Sequence, residues 1–132
     1  MAFLLEPYKY HLLVFAPTAI EYKFMMDNNV SYSMYFLDYV QKFKNLAATW
    51  KYDTRIYSFT NQIALNSAYQ EIIGMGEKAV PLILSDLKKE PNHWFWALQA
   101  ITGYDPVKSG QKGQIKKMAS AWVDWGTENG YI

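Results

Sequence analysis

Glycine and proline divide the second half of this 132-residue chain into short segments, and this division is the strongest constraint on its fold. All seven glycines lie from Gly74 onward. Between them, apolar residues recur at steps of three and four, the spacing that places side chains on one face of an α-helix. Short helices gain most of their stability by packing an apolar face. The pattern therefore predicts a mainly α-helical domain built from short amphipathic helices.

Two of these helices are predicted between residues 67 and 89. The first begins at Ser67, because Ser67 and Gln70 have the spacing of a capping box, and it ends at the glycines of residues 74–76. The second covers residues 78–89, with Pro81 in the first turn, where a missing backbone N–H removes no helical hydrogen bond. Its predicted buried face consists of Val80, Ile83, Leu84 and Leu87.

Two further helices are predicted after Pro91. Asn92 is a suitable cap for a helix over residues 93–102, and Gly103 occupies the usual position of a C-terminal cap. A loop over residues 104–113 leads to a last helix, which is predicted to end at Gly126. The apolar stripe of that helix consists of Ile115, Met118, Trp122 and Trp125.

Aromatic residues dominate the first half of the chain. Residues 1–60 contain eight of the eleven tyrosines and no glycine. A helix is predicted over residues 34–53, since apolar residues recur there at alternating steps of four and three. That stripe consists of Phe36, Val40, Phe43, Ala47 and Trp50.

The segment before this helix leaves two alternatives open. Apolar residues alternate at period two on both sides of residues 27–29, which favours a small β-hairpin, and the competing prediction is a helix. Residues 1–20 carry no pattern that assigns an element. The chain is interpreted as one domain, residues 1–132, in which a Tyr-rich N-terminal cover over residues 1–60 packs against a helical part over residues 61–132.

Composition excludes several classes of function. The chain has no cysteine and two histidines, so disulfide scaffolds, thiolate zinc sites and cysteine nucleophiles are excluded and no metal is expected. A net charge of +1 argues against strongly electrostatic binding to nucleic acids or membranes. The Gly74-Met75-Gly76 segment lacks the further glycine of a phosphate-binding loop. We therefore predict no cofactor.

The N-terminal residues predict neither a membrane span nor a signal peptide. The apolar run from Leu12 to Ile20 has nine residues, whereas a membrane helix needs about 20. Glu6, Pro7 and Lys9 interrupt the start, and no basic segment precedes the apolar run. We therefore expect a cytoplasmic protein with no membrane partner.

The segment from Met75 to Leu87, a proline break, and the segment from Trp94 to Gly103 together resemble a HEAT-type helical hairpin. The resemblance lies in a glycine, the sequence Ala79-Val80-Pro81, an apolar helix, a turn and a second helix before another glycine. A single such unit cannot bury both of its faces. The last helix and the N-terminal half are therefore expected to cover it.

A more specific resemblance is to a group of small, uncharacterised bacterial proteins, and it covers about residues 44 to 131. Members usually have His-Pro where this chain has Asn66-Ser67, so a role for that histidine does not carry over. The group has no established activity, but its members are often encoded beside another small protein, which implies a partner-binding role. The matching motifs are AYQEIIGMG, HWFWAL, AITG, DPV and AW..WG, beginning at Ala68, His93, Ala100, Asp105 and Ala121.

The leading functional hypothesis is a non-catalytic protein-interaction module that binds another small protein or itself. Tryptophan is enriched at the energetic centres of interfaces. Trp94 and Phe95 are assigned to the core by their spacing, whereas Trp96 and His93 are candidates for an exposed partner contact. Trp122 and Trp125 are further candidates, although their default role is to cover the helical hairpin.

Two alternatives remain open from the sequence. A weak, salt-sensitive contact with nucleic acid would use Lys108, Lys112, Lys116 and Lys117, which have no acid among them. A small hydrolase-like site would need His93 and Asp105 to meet near Gly103, but no nucleophile accompanies this pair. Asp105 before Pro106 also suits a turn, so neither chemistry is favoured over partner binding.

Overall fold

The computed structural model describes residues 19–132, apart from the side chains of Glu21 and Tyr32. This part of the chain contains helices and no strand, so the prediction of a mainly α fold is confirmed. The portion of the predicted N-terminal cover in residues 1–18 lies outside the described residues. The α-helices are α1 (Ala19–Asp27), α2 (Tyr32–Thr54), α3 (Thr60–Ala64), α4 (Ser67–Gly74), α5 (Val80–Lys89), α6 (Phe95–Thr102) and α7 (Ile115–Glu128).

The segment around residues 27–29 is a turn between two helices, and the β-hairpin alternative is wrong. Asn29 adopts a left-handed conformation with φ of 53°, which asparagine tolerates better than most residues. Ser31 then caps α2, because its hydroxyl accepts a hydrogen bond from the Met34 backbone N–H at 3.1 Å. These two local devices end one helix and start the next, and they override the alternation of apolar residues.

The predicted stripe of α2 faces the core along its whole length. Each of its five residues is at most 7% exposed, and Trp50 is 1% exposed. The Trp50 indole Nε1 donates a hydrogen bond to the Ile63 carbonyl at 3.0 Å, which ties the end of α2 to α3. The stripe prediction for this helix is therefore confirmed.

Helix α4 is capped by Asn66, and the predicted capping box of Ser67 and Gln70 is wrong. The Asn66 side chain accepts hydrogen bonds from the backbone N–H groups of Ala68 and Tyr69. The Gln70 amide instead donates to the Ala64 carbonyl at 2.8 Å. Both Asn66 and Ser67 can cap a helix, and the extended ψ of Asn66 decides between them.

The boundaries of α5 and α6 differ in how well the sequence predicts them. Helix α5 begins at Val80 with Pro81 in its first turn, and the four residues of its predicted face are at most 2% exposed. Helix α6 begins at Phe95 rather than residue 93, so Asn92 does not cap it. The Asn92 side chain instead accepts a hydrogen bond from the neighbouring His93 backbone N–H at 3.1 Å.

The sequence predicted that Gly126 ends the last helix. This prediction is wrong, because α7 continues to Glu128. A Cβ atom at Gly126 would lie 2.5 Å from the Leu84 Cδ1 atom of α5. A side chain here would require the end of the Leu84 side chain to move, so this glycine permits close packing of α7 against α5 rather than supplying conformational freedom. The end of α6 follows the prediction, since Gly103 has a φ of 70°.

The core contains an aromatic cluster of Phe43, Trp50, Tyr69 and Trp94. The ring centroids of Trp50 and Trp94 lie 4.3 Å apart, and those of Tyr69 and Trp94 lie 5.7 Å apart. Offset and tilted contacts of this kind stabilise a core beyond the area they bury. Since these residues come from α2, α4 and the segment before α6, the cluster joins both halves of the chain.

None of the described helices combines the length and apolar character needed to cross a membrane.

Candidate functional site

Trp96 is half exposed, whereas Trp50, Trp94 and Trp122 are buried. It is the second residue of α6, and 50% of its surface is exposed, whereas Phe95 and Ala97 on either side are 7% and 0% exposed. The helix turns its Ala97 and Leu98 face into the core, so Trp96 and Gln99 are directed away from it. A large aromatic residue is thus held on a rigid helix with one side open to solvent.

Trp96 and His93 line the same open cavity, which we call the Trp96 cleft. The cleft has a volume of about 300 Å³. Its wall combines the start of α6 with the first turn of α7, and Thr60 of α3 closes another side. This size is at the lower end of the range for small-molecule pockets, and it suits a bulky side chain of a binding partner. The other lining residues are Phe95, Gln99, Gly113, Ile115 and Met118.

His93 forms part of the cleft wall with a half-buried side chain. Its imidazole packs edge-on against the Phe95 ring, with centroids 6.4 Å apart and an interplanar angle of 81°. Its backbone carbonyl accepts a hydrogen bond from the Tyr69 hydroxyl at 2.9 Å. Among residues 19–132, none forms a hydrogen bond with the imidazole.

Tyr69 fixes the segment that carries the cleft. Its hydroxyl donates to the His93 carbonyl and also accepts a hydrogen bond from the Ala97 backbone N–H at 2.9 Å. Burial raises the pKa of this phenol well above its ordinary value, and the Ala97 N–H opposes that rise only in part. Because Tyr69 stays neutral, it can donate and accept at once and so hold His93 and Ala97 in register.

A second cavity, of about 380 Å³, borders His93 on the side of the 55–59 loop. Its lining is more polar and includes Lys51, Thr54, Arg55 and Glu90. Lys51 is already paired with Asp86 at 2.9 Å, so its charge is largely neutralised there. His93 therefore separates an apolar cleft from a polar one.

Trp122 of α7 is incompatible with the predicted partner contact, because its side chain lies in the hydrophobic core and is 0% exposed. Its indole Nε1 has no hydrogen-bond partner among the described residues. Trp125 is half-buried between two rings, with Tyr104 and Tyr131 stacked at centroid distances of 5.8 and 5.3 Å. Of the four predicted partner-contact residues, the structure therefore brings His93 and Trp96 together and separates both from Trp122.

Tyr131, one of the two rings around Trp125, links the end of the chain to the turn before α5. Its hydroxyl donates a hydrogen bond to the Glu77 carboxylate at 2.7 Å. Burial, together with the hydrogen bond to Glu77 and its charge, raises the pKa of Tyr131 to about 12. Trp125 is thus fixed by structural contacts rather than presented to a partner.

The structure does not bring His93 and Asp105 together as a catalytic pair. Asp105 accepts a hydrogen bond from the Val107 backbone N–H at 3.0 Å and forms an ion pair with Lys112. Burial acts to raise the pKa of this carboxyl, but the Lys112 and Val107 contacts outweigh it and hold the pKa below its usual value. No hydrogen bond or ion pair joins Asp105 to His93 in the described chain. Asp105 therefore organises the loop, as a turn residue does.

The four candidate lysines are all exposed, but they do not form one uniform patch. Lys112 is engaged by Asp105, and Lys108 belongs to the turn closed by Gln111. Lys116 and Lys117 lie on α7 and make no ion pair with any described residue. Three of the four ammonium groups thus make no ion pair with a described residue, and phosphate binding through so few charges would be strongly weakened by salt.

Within residues 19–132, no three histidine, cysteine, aspartate or glutamate side chains are placed to hold a metal ion.

Sequence reasoning missed the loop between α2 and α3 as part of the surface near the cleft. Ile56 and Phe59 are 75% and 70% exposed, and the next residue, Thr60, lines the Trp96 cleft. Three large apolar residues in a segment of four, outside any helical stripe, are the signal that could have revealed it. The described part of the chain thus has exposed aromatic surface just before Thr60 and at Trp96.

Comparison with family models, with curated proteins and with solved structures gave no match for this chain.

Proposed function

We propose that this chain is a non-catalytic protein-interaction module of the bacterial cytosol, which binds a partner protein or a second copy of itself through the Trp96 cleft. The observation that carries the proposal is the half exposure of Trp96 over a cleft that contains the His93 imidazole, which has no hydrogen-bond partner among the described residues. Tryptophan presented on a rigid helix contributes large contact area at little conformational cost. The HEAT-like resemblance of residues 75–103 is consistent with a scaffold for partner binding.

The cleft has the parts of an interface centre. Phe95, Ile115 and Met118 provide an apolar wall, and Met118 can adapt its flexible thioether to a partner's side chain. His93 and Gln99 provide polar groups that can fix the partner's orientation. The nucleic-acid and hydrolase alternatives receive less support, because Asp105 and Lys112 are engaged with each other.

The test uses Trp96→Ala beside Phe24→Ala as a matched control. Phe24 lies on α1 and is 54% exposed, close to the 50% of Trp96, so both variants remove one exposed aromatic side chain. Each protein is examined by size-exclusion light scattering over a dilution series and by co-purification with proteins encoded by neighbouring genes. We expect wild type and Phe24→Ala to assemble or capture a partner and Trp96→Ala to lose that ability.

A photo-crosslinking residue placed at position 96 identifies what contacts the cleft. The same residue at position 24 controls for non-specific capture. A wild-type protein that is strictly monomeric and captures none of the neighbouring gene products would overturn the proposal. Equal loss of binding in both alanine variants would contradict the assignment of the cleft.

A further inference from the structure

A second groove lies between α5 and α7, on a different side of α7 from the Trp96 cleft. It has a volume of about 330 Å³. At 100° per residue, Lys116, Ala119 and Val123 lie within about 60° of one another around α7. Met118, which lines the Trp96 cleft, lies about 100° or more from all three around the helix. Ile115 also lines that cleft, and it lies about 40° from Ala119, where the two surfaces approach each other. We call this surface the lysine groove.

The lysine groove has an apolar floor and a basic rim. On the floor, Leu87 and Ala119 are only 2% and 6% exposed, and Pro91 and Val123 are more open. Ser120 also lines the groove, and no acidic residue does. Lys88 of α5 and Lys116 of α7 also line it, and both are exposed. Neither lysine forms an ion pair with a residue of the described chain. The nearby Asp86 carboxylate is already occupied by Lys51 and by the Trp94 indole Nε1.

We propose that the lysine groove binds an acidic amphipathic segment of a partner protein, with apolar side chains on the floor and carboxylates beside Lys88 and Lys116. Charge complementarity supports this occupant, because two unpaired cations on opposite helices create a positive rim around an apolar floor. A nucleic acid would pair with the lysines but has no aliphatic side chain to fill the floor. The net charge of +1 also provides little general attraction for a polyanion.

This inference is independent of the proposed function of the Trp96 cleft. It rests on residues of α5 and the outer side of α7, and it requires neither His93 nor Trp96. Trp96→Ala is therefore expected to leave binding at the lysine groove unchanged. Binding at the Trp96 cleft is tested by Trp96→Ala, and binding at the lysine groove is tested by substitution of Lys88 and Lys116. The two proposals can therefore fail separately.

The experiment measures fluorescence anisotropy of labelled synthetic probes titrated with the full chain. The main probe is an acidic amphipathic peptide with leucine at helical spacing and glutamate between the leucines. Three further probes separate the contributions: a peptide with the same glutamates and no leucine, a peptide with the same leucines and lysine for glutamate, and a single-stranded oligonucleotide. We expect only the acidic leucine peptide to bind well.

Two double variants test where the peptide binds. Lys88→Gln with Lys116→Gln removes both groove lysines, whereas Lys89→Gln with Lys117→Gln removes the same charge from the adjacent exposed positions, which do not line the groove. We expect the groove variant to bind the acidic leucine peptide about tenfold more weakly and the control to stay close to wild type. Circular dichroism verifies that both remain helical.

The inference is overturned if the acidic leucine peptide does not bind, or if the two double variants weaken its binding equally. It is also overturned if the leucine-free peptide or the oligonucleotide binds as tightly as the acidic leucine peptide. In those cases the lysines act as general surface charge and the floor has no role.

Discussion

Trp94 and Trp96 lie two residues apart, yet the structure places them in opposite environments. Trp94 is 0% exposed, contacts three other rings and donates its indole N–H to Asp86 at 2.8 Å. Trp96 is 50% exposed and faces a cleft. The backbone just before and within the first turn of α6 directs them to opposite sides. Aromatic content alone thus says nothing about function, and the surroundings of each ring decide its role.

Among the substitutions that test this difference between the two tryptophans, Trp94→Ala is expected to lower the free energy of unfolding most. Removing the central ring of the aromatic cluster loses its buried contacts and leaves a cavity, which costs about 3–5 kcal/mol in large-to-small core substitutions. The free energy of unfolding in urea, followed by circular dichroism, measures this cost.

Trp94→Phe keeps the protein testable if the alanine variant does not fold. It retains a ring in the cluster but leaves the Asp86 carboxylate with Lys51 as its remaining partner. We expect a smaller loss, about 1–3 kcal/mol, since a partly buried hydrogen bond to a charged group is removed. Loss of less than about 1 kcal/mol in both variants would contradict the role of Trp94 as the centre of the core.

Tyr69→Phe is expected to have the next largest effect, because it removes the contact that orients both tryptophans. The His93 carbonyl loses its donor and the Ala97 N–H loses its acceptor. Leaving buried polar groups unsatisfied costs about 1–3 kcal/mol. Urea denaturation measures the stability, and binding of a cleft partner measures whether the segment 93–97 has shifted.

A suitable control for Tyr69→Phe is Tyr52→Phe. Tyr52 is 66% exposed, so the same hydroxyl deletion there should change the free energy of unfolding by less than about 0.5 kcal/mol. Equal effects of the two substitutions would mean that the Tyr69 hydrogen bonds contribute little to the fold.

The opposite fates of Trp94 and Trp96 were predictable from spacing, although the start of α6 was not. Trp94, Ala97, Leu98 and Ile101 fit one helical face, and that pattern excludes Trp96 from the core whether the helix begins at residue 93 or 95. The exact start depends on the turn at Asn92, whose side chain bonds to His93. Such a local choice between competing hydrogen bonds leaves no periodic signal in the sequence.

Other features could not be predicted because they depend on contacts between distant segments. Gly126 was predicted to end the last helix, but it lies inside α7 and packs against Leu84 of α5. The Trp96 cleft joins Thr60 to Met118, residues from opposite parts of the chain. The partner function and the HEAT-like interpretation of residues 75–103 stay predictions.

Trp96→Ala is expected to change stability far less than Trp94→Ala, which sharpens the comparison. Half of the Trp96 surface is already in water, so its truncation should cost about 1–2 kcal/mol. Acrylamide should quench tryptophan fluorescence much less in Trp96→Ala than in wild type, because the remaining tryptophans are buried or partly buried. A loss of stability comparable to that of Trp94→Ala would assign Trp96 to the core and remove it from the candidate site.

The smallest expected effect belongs to the ion pair of Asp105, which lies in the exposed loop rather than beside either tryptophan. Because the folded-state pKa of Asp105 is lowered, its contribution to stability is present above the ordinary aspartate pKa of about 4 and is lost as the pH falls through the lower folded value. The pair is largely exposed, so this contribution should be less than about 1 kcal/mol. Asp105→Asn should therefore be slightly less stable than wild type at neutral pH, and the difference should disappear on acidification below about pH 4. Asp124→Asn removes an exposed carboxylate of α7 that has no partner in the described chain, and it serves as the control. A difference for Asp105→Asn that grows in acid would contradict the sign of the shift.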